Sequence, residues 1–173
     1  PLERDPARRR ILFLGDSCTN SGPDQYPDKV VAMLAQSGLV AEPLIAGGGG
    51  YSPYQGLDFL RESLAYRPDA VVAYFGWNDH WFATSGVPDN EFRPLTRFER
   101  RGYRSLSWLR IYQLMHYLIY PPKVPKGPVP FTDLVESTRV PPTHFVDNIE
   151  AMIELAQQAR APILFVAPPY GAG

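Results

Sequence analysis

A serine, a glycine run and an asparagine are spaced along this chain so that they can act together. Ser17 ends Gly15-Asp16-Ser17, Gly47 opens Gly47-Gly48-Gly49-Gly50, and Asn78 lies in Gly76-Trp77-Asn78-Asp79. The intervals are 30 residues from Ser17 to Gly47 and 31 from Gly47 to Asn78. Each residue type suits one task in acyl transfer. A Ser hydroxyl at a strand-to-helix turn is a nucleophile once a base takes its proton. A Gly at a tight turn lets a backbone N–H approach a developing oxyanion with no side chain in the way. An Asn amide can supply a further donor to that oxygen. Singly, each has an ordinary reading: a capped turn at Gly-Asp-Ser, a phosphate cradle in the glycines, a loop-holding side chain at Asn78. The glycine run lacks the Lys-Ser/Thr ending of a P-loop, and Tyr51 and Ser52 break the dinucleotide fingerprint. The ordered combination favours one shared site.

Short apolar segments lead into each candidate. Ile11-Leu12-Phe13-Leu14 ends in Gly15, Leu44-Ile45-Ala46 runs into Gly47, and Ala70–Phe75 closes at Gly76. Continuous runs of this kind suit strands buried on both faces of a parallel sheet. Between the first two, Tyr26-Pro27 opens a helix with Val30, Val31 and Leu34 on one face and Gly38 as its stop. A second helix, about Tyr54 to Tyr66, turns Leu57, Leu60 and Leu64 inward and stops before Pro68. Strand and helix alternate with the length of a βαβ unit, which predicts a doubly wound, mostly parallel α/β sheet. Ligands bind such sheets beyond the carboxyl ends of the strands, where all three candidates fall.

After Asp79 the rhythm breaks, and residues 80 to 140 are expected to form an insertion or lid. Within it, a helix near Ser105 to Tyr120 is apolar on most sides, with Arg110, Gln113 and His116 as a thin polar stripe. It is too short to span a bilayer and is expected to pack as a core or lid helix. Pro121 to Pro130 holds five of the 19 prolines and should be a stiff, extended loop. A helix then presents Phe145, Ile149, Met152, Ile153 and Ala156 on one face, with Thr143 as its expected cap. Pro162–Ala167 reads as a fourth strand.

The 173 residues predict a single domain over 1–173. With 17 Lys and Arg against 18 Asp and Glu, the net charge of −1 argues against nucleic acid as a partner. Arg8, Arg9 and Arg10 read as an exposed flank. No run of about 18 apolar residues exists to span a membrane. The single cysteine, Cys18, excludes an internal disulfide and a multi-Cys zinc site, and reads as a small buried residue. No motif calls for a cofactor or a metal.

The three blocks resemble those of the SGNH (GDSL-type) serine hydrolases. Gly15-Asp16-Ser17 is similar to the first block, with Ser17 at the nucleophile's position. Ala46-Gly47-Gly48-Gly49-Gly50-Tyr51-Ser52 is similar to the second, with Gly47 its first glycine, and Gly76-Trp77-Asn78-Asp79 to the third. Leu164-Phe165-Val166-Ala167-Pro168-Pro169 resembles the strand before the last block. The resemblance, over about Ile11 to Tyr170, implies a flavodoxin-like fold. It also implies ester hydrolysis through an acyl-enzyme without cofactor, on a small-molecule, carbohydrate or lipid ester. The oxyanion would be held by Ser17 and Gly47 N–H groups and the Asn78 amide. It further implies a bacterial protein that is exported or membrane-tethered, and the Met-less start at Pro1 leaves room for a preceding segment.

The departures bear on the base. Ile45 stands where the family often has Asn, and the family's Asp-x-x-His block is missing from residues 1–173. Of three histidines, His80 follows the third block, His116 belongs to the insertion helix, and His144 starts the later helix; none fits the role well. The general base and its acid are therefore expected beyond Gly173, leaving this chain feeble alone, with about 10³–10⁴-fold catalysis over water. Tyr51, Tyr54, Trp77, Trp81 and Phe82 crowd the same region and could line an acyl slot or stack on a sugar. The rival readings are a non-catalytic binding domain for an acylated carbohydrate or lipid, and a phosphate or nucleotide binder at Gly47–Gly50.

Overall fold

Strand β1 (Arg9–Gly15) is buried from Arg10 onward because both its faces and both its edges are covered. In the computed structural model, which describes residues 4–20, 22, 23, 25–83, 88–91, 105, 106, 108–119 (the backbone alone at His116) and 138–167, β1 lies between two parallel neighbours. The sheet order is β2 (Ala41–Gly47), β1, β3 (Ala70–Tyr74), β4 (Ile163–Val166), all parallel. This is the flavodoxin-like order, in which the strand order reverses between β1 and β3 and a crevice opens there.

The pleat sends alternate β1 side chains to opposite layers. Ile11 and Phe13 meet Val30, Val31 and Leu34 of helix α1 (Tyr26–Gln36) on one face. Leu12 and Leu14 meet Leu57 and Leu60 of α2 (Pro53–Ser63) and Met152 of α4 (Pro142–Gln158) on the other. A Cβ on Gly56 would lie 2.3 Å from the Phe75 ring, so α2 seats against the end of β3 only as glycine there. The sheet is therefore doubly wound, as the alternation of elements predicts.

Several boundaries and environments differ from expectation. Helix α2 begins at Pro53, with Ser52 as N-cap, and gives way to a 3₁₀ turn at Leu64–Tyr66 before Pro68. Helix α4 begins one residue before Thr143: Pro141 is the N-cap and Pro142 takes the first helical position, where its missing N–H costs nothing. Arg10 is buried, not part of an exposed flank. It lies opposite Glu42 in the β1–β2 register, its Nε donates to the Glu42 carboxylate at 2.9 Å, and its Nη1 donates to the Tyr66 carbonyl. Helix α3 (Arg110–Ile119), expected to be packed, turns most of its apolar side chains to solvent. The proline-rich segment 121–130, and with it most of the expected lid, lies outside the described residues.

Candidate functional site

Register brings the three sequence blocks to one level. Gly15 at the end of β1 pairs with Gly47 at the end of β2 and with Tyr74 at the end of β3. The chain leaves all three strands along one line at the carboxyl edge. The 30-residue spacing in sequence thus becomes adjacency in space.

The turn after β1 is built on Asp16. Its side chain is fully buried, its carbonyl accepts from Thr19 N–H at 3.1 Å, and its Oδ1 accepts from Cys18 N–H at 2.8 Å. Asn20 N–H donates to the Ser17 carbonyl at 3.2 Å and closes the turn. Ser17 is left at the apex, exposed, and its hydroxyl has no hydrogen-bond partner among the described residues. Cys18 is also exposed rather than buried. Partial burial of the thiol, and then the Asp16 carboxylate beside it, push its pKa up, which makes it a poor source of thiolate at neutral pH.

The glycine loop presses on this turn. A Cβ on Gly47 would stand 3.1 Å from both the Gly15 and Asp16 carbonyl oxygens and 3.2 Å from Thr19 Cβ. The Asn20 amide donates to the Gly47 carbonyl at 3.1 Å, and Gly48 N–H donates to the Gly15 carbonyl at 3.3 Å. Tyr51, just beyond, stacks on Phe59 with ring centroids 5.2 Å apart, so it packs rather than lining an open slot.

Asn78 joins the third block to the first two. It is buried, and its Nδ2 donates to the Tyr51 carbonyl at 3.0 Å and, more weakly, to Asp16 Oδ2 at 3.4 Å. Both partners are pure acceptors, which fixes the amide's orientation. One hydrogen is well held, while the other makes only the long contact and remains available to a stronger acceptor. Trp77, Trp81 and Phe82 of the same loop are exposed, and Trp77 Nε1 donates to the Tyr74 hydroxyl at 2.9 Å.

None of the described histidine side chains faces Ser17 through a hydrogen bond. His80 is exposed, with Nδ1 3.4 Å from the Gly76 carbonyl oxygen. His144 is half-buried on the first turn of α4, and its Nδ1 has no partner among the described residues. The side chain of His116 lies outside the described set. Among the described residues no group of three His, Cys, Asp or Glu is gathered as for a metal ion.

Behind the loops lies a polar network for which the sequence reading had no place. Arg139 donates through Nη2 to Asp89 Oδ2 at 2.8 Å and through Nη1 to the Gly50 carbonyl at 2.6 Å. The Ser52 hydroxyl and Gln55 amide also donate to Asp89 Oδ2, at 2.8 and 3.2 Å. Ser52 N–H in turn donates to Gln55 Oε1 at 2.8 Å. Ser52-Pro53-Tyr54-Gln55 carries the Ser-x-x-Gln pattern of a capping box with Pro at the first helical position, a signal available in the sequence. Arg139 and Asp89 carry no local signal. Asn90 and Asn148 exchange side-chain amide bonds at 3.0 Å each, tying α4 to the same segment.

Asp79 borders this network. Its carboxylate oxygens are buried without a hydrogen-bond partner among the described residues, so its side chain does not hold the loop. Its loop is instead held by backbone bonds: Val140 N–H donates to the Asp79 carbonyl and Arg139 N–H to that of Trp81. Burial raises its pKa to about 7; Arg139 opposes the rise, and the charges of Asp16 and Asp89 add to it.

Similar solved structures include a lipolytic protein of the G-D-S-L family from Desulfitobacterium hafniense DCB-2, at 17% identity and TM-score 0.47, covering 95% of this chain and 63% of that one. The SGNH-hydrolase family esterase AlinE4 has 20% identity and TM-score 0.42, over 91% of this chain and 75% of its own. A catalytic mutant of Axe2, an acetylxylan esterase from Geobacillus stearothermophilus, has 16% identity and TM-score 0.40, over 90% and 75%. The chain thus spans less than two thirds of the length of the first of these. No curated protein matches it. The sequence profile of the GDSL-like lipase/acylhydrolase family matches residues 13–173, which take in all three blocks, and the chain belongs to that family.

Proposed function

We propose that the protein is a serine ester hydrolase in which Ser17 is the nucleophile. Ser17 Oγ attacks the acyl carbonyl carbon and loses its proton to a general base. The carbonyl oxygen becomes an oxyanion held by the N–H groups of Ser17 and Gly47 and by Asn78 Nδ2. Collapse of the tetrahedral adduct expels the alcohol, which takes up a proton, and water then releases the acyl group from Ser17. The observation that carries this reading is the Asn78 amide, whose contacts to Tyr51 and Asp16 link all three blocks beside the exposed Ser17. The family resemblance assigns the base to an Asp-x-x-His block, which residues 1–173 do not contain. The substrate is an acyl or acetyl ester of a small molecule, a carbohydrate or a lipid, and exposed Trp77, Trp81 and Phe82 offer apolar surface on the loop that carries Asn78.

A fluorophosphonate probe applied to the protein in its natural full length should label Ser17, located by peptide mass spectrometry, and Ser17→Ala should abolish the label. Absence of labelling at Ser17 in a folded protein would sink the proposal. The second reading, a binding domain that retains the cleft without turnover, is favoured by one observation: no described histidine contacts Ser17. It predicts saturable binding of an acylated sugar or lipid with no label and no hydrolysis.

A further inference from the structure

Helix α3 leaves its apolar side chains in solvent rather than packing them on its own protein. Ile111, Leu114, Met115, Leu118 and Ile119 are each between 50% and 66% exposed. At about 100° per residue these five positions fall within one arc of about 140°. Tyr112, which is half-buried, projects outside that arc. Trp108, just ahead of the helix, is 74% exposed. An apolar face this continuous marks an interaction surface.

The charge around it in sequence says which kind. Between residues 93 and 126 there are eight Lys or Arg and one acidic residue, Glu99, a net of +7 in a chain whose total is −1. A second copy docking through α3 would set this positive stretch against itself. An anionic lipid surface offers both things the stretch lacks: an apolar phase for the arc and negative charge to match the basic residues that flank it in sequence. Exposed tryptophan suits the boundary between the two. No helix among the described residues is long and apolar enough to cross a membrane, so such a helix would lie in the interface plane. We propose that α3 docks the protein on an anionic bilayer, with Ile111, Leu114 and Leu118 entering the acyl region. This does not depend on Ser17 being a nucleophile.

The test is flotation of the full chain with vesicles of phosphatidylglycerol and phosphatidylcholine, and with phosphatidylcholine alone. Binding to the anionic vesicles is expected, weakened at high salt, because each basic residue near such a surface strengthens partition about fivefold. The double variant Leu114→Glu, Leu118→Glu should bind at least about 30-fold more weakly. Should that variant fail to fold, brominated lipid gives a second measure: it should quench tryptophan emission of the unaltered chain more than that of Trp108→Phe. Failure of the unaltered chain to float with anionic vesicles overturns the proposal. So does binding that ignores both substitution and lipid charge, or a dimer that the double variant converts to monomer.

Discussion

Replacing Asp79 by Asn tests the buried charge behind the third block. Burial raises the carboxyl from 3.8 to about 7, against the pull of Arg139 and with the push of Asp16 and Asp89. In the unfolded chain the group ionises near its ordinary value. The fold therefore favours the protonated acid, and stability is fully present below about pH 4 and is lost as pH rises toward 7. At about 1.4 kcal/mol per unit, the full difference comes to about 4.5 kcal/mol, an upper bound. Asn is close in shape to the neutral acid and does not titrate. Asp79→Asn should thus match the natural protein near pH 3.5 and exceed it increasingly up to pH 7, with no further gain above. At about 2–4 °C per kcal/mol for a chain of this size, the gap in Tm reaches about 10 °C near pH 8. Thermal melts followed by circular dichroism from pH 3.5 to 8.5 measure it. Parallel pH profiles for the two proteins would show that Asp79 ionises normally in the fold, and the reasoning from burial would be wrong.

Other substitutions probe the remaining contacts. If the proposed mechanism holds, Asn78→Ala should lower kcat for ester hydrolysis about 10²–10³-fold with little change in KM, since the donor matters most once the oxyanion forms; equal loss in KM would place Asn78 in substrate binding instead. Gly15→Ala would bring a Cβ to within 2.6 Å of the Tyr74 carbonyl and closer still to Thr19 Oγ1, so urea unfolding should show a loss of about 2–4 kcal/mol. Arg139→Met leaves Asp89 without its cation and should cost about 2–4 kcal/mol, partly recovered when Asp89→Asn is added; simple additivity of the two losses would contradict the pairing.

Continuous apolar runs made β1, β3 and the end of β2 legible, because a strand with both faces covered needs no polar alternation; the start of the edge strand β2, with Glu42 and Pro43, carries no such run. The loops that follow them were legible for the same reason: a glycine ending such a run marks where the chain leaves the sheet. Partners distant in sequence were not legible. Arg139 and Asp89 are 50 residues apart, and nothing in either neighbourhood announces the other. Arg10 was misplaced because its burial depends on Glu42, which only the β1–β2 register brings opposite. Helix α3 shows a different limit. Periodicity reveals that an apolar face exists, and not whether the protein or its surroundings cover it.

The carboxylates around the site explain why one of them keeps its proton. Asp16 has donors in Cys18 N–H and the Asn78 amide, and Asp89 has Arg139, Ser52 and Gln55. Asp79 has neither a hydrogen-bond donor nor its own cation among the described residues. With the Arg139 guanidinium paired to Asp89, protonating the group that lacks donors costs least. The consequence reaches the proposed chemistry. An ionised Asp79 next to Asn78 would oppose the negative charge that Asn78 is proposed to stabilise, whereas the neutral acid does not. Burial of Asp79 thus lets the network anchor the glycine loop through Arg139 and Gly50 without setting a full second negative charge beside the proposed oxyanion below neutral pH.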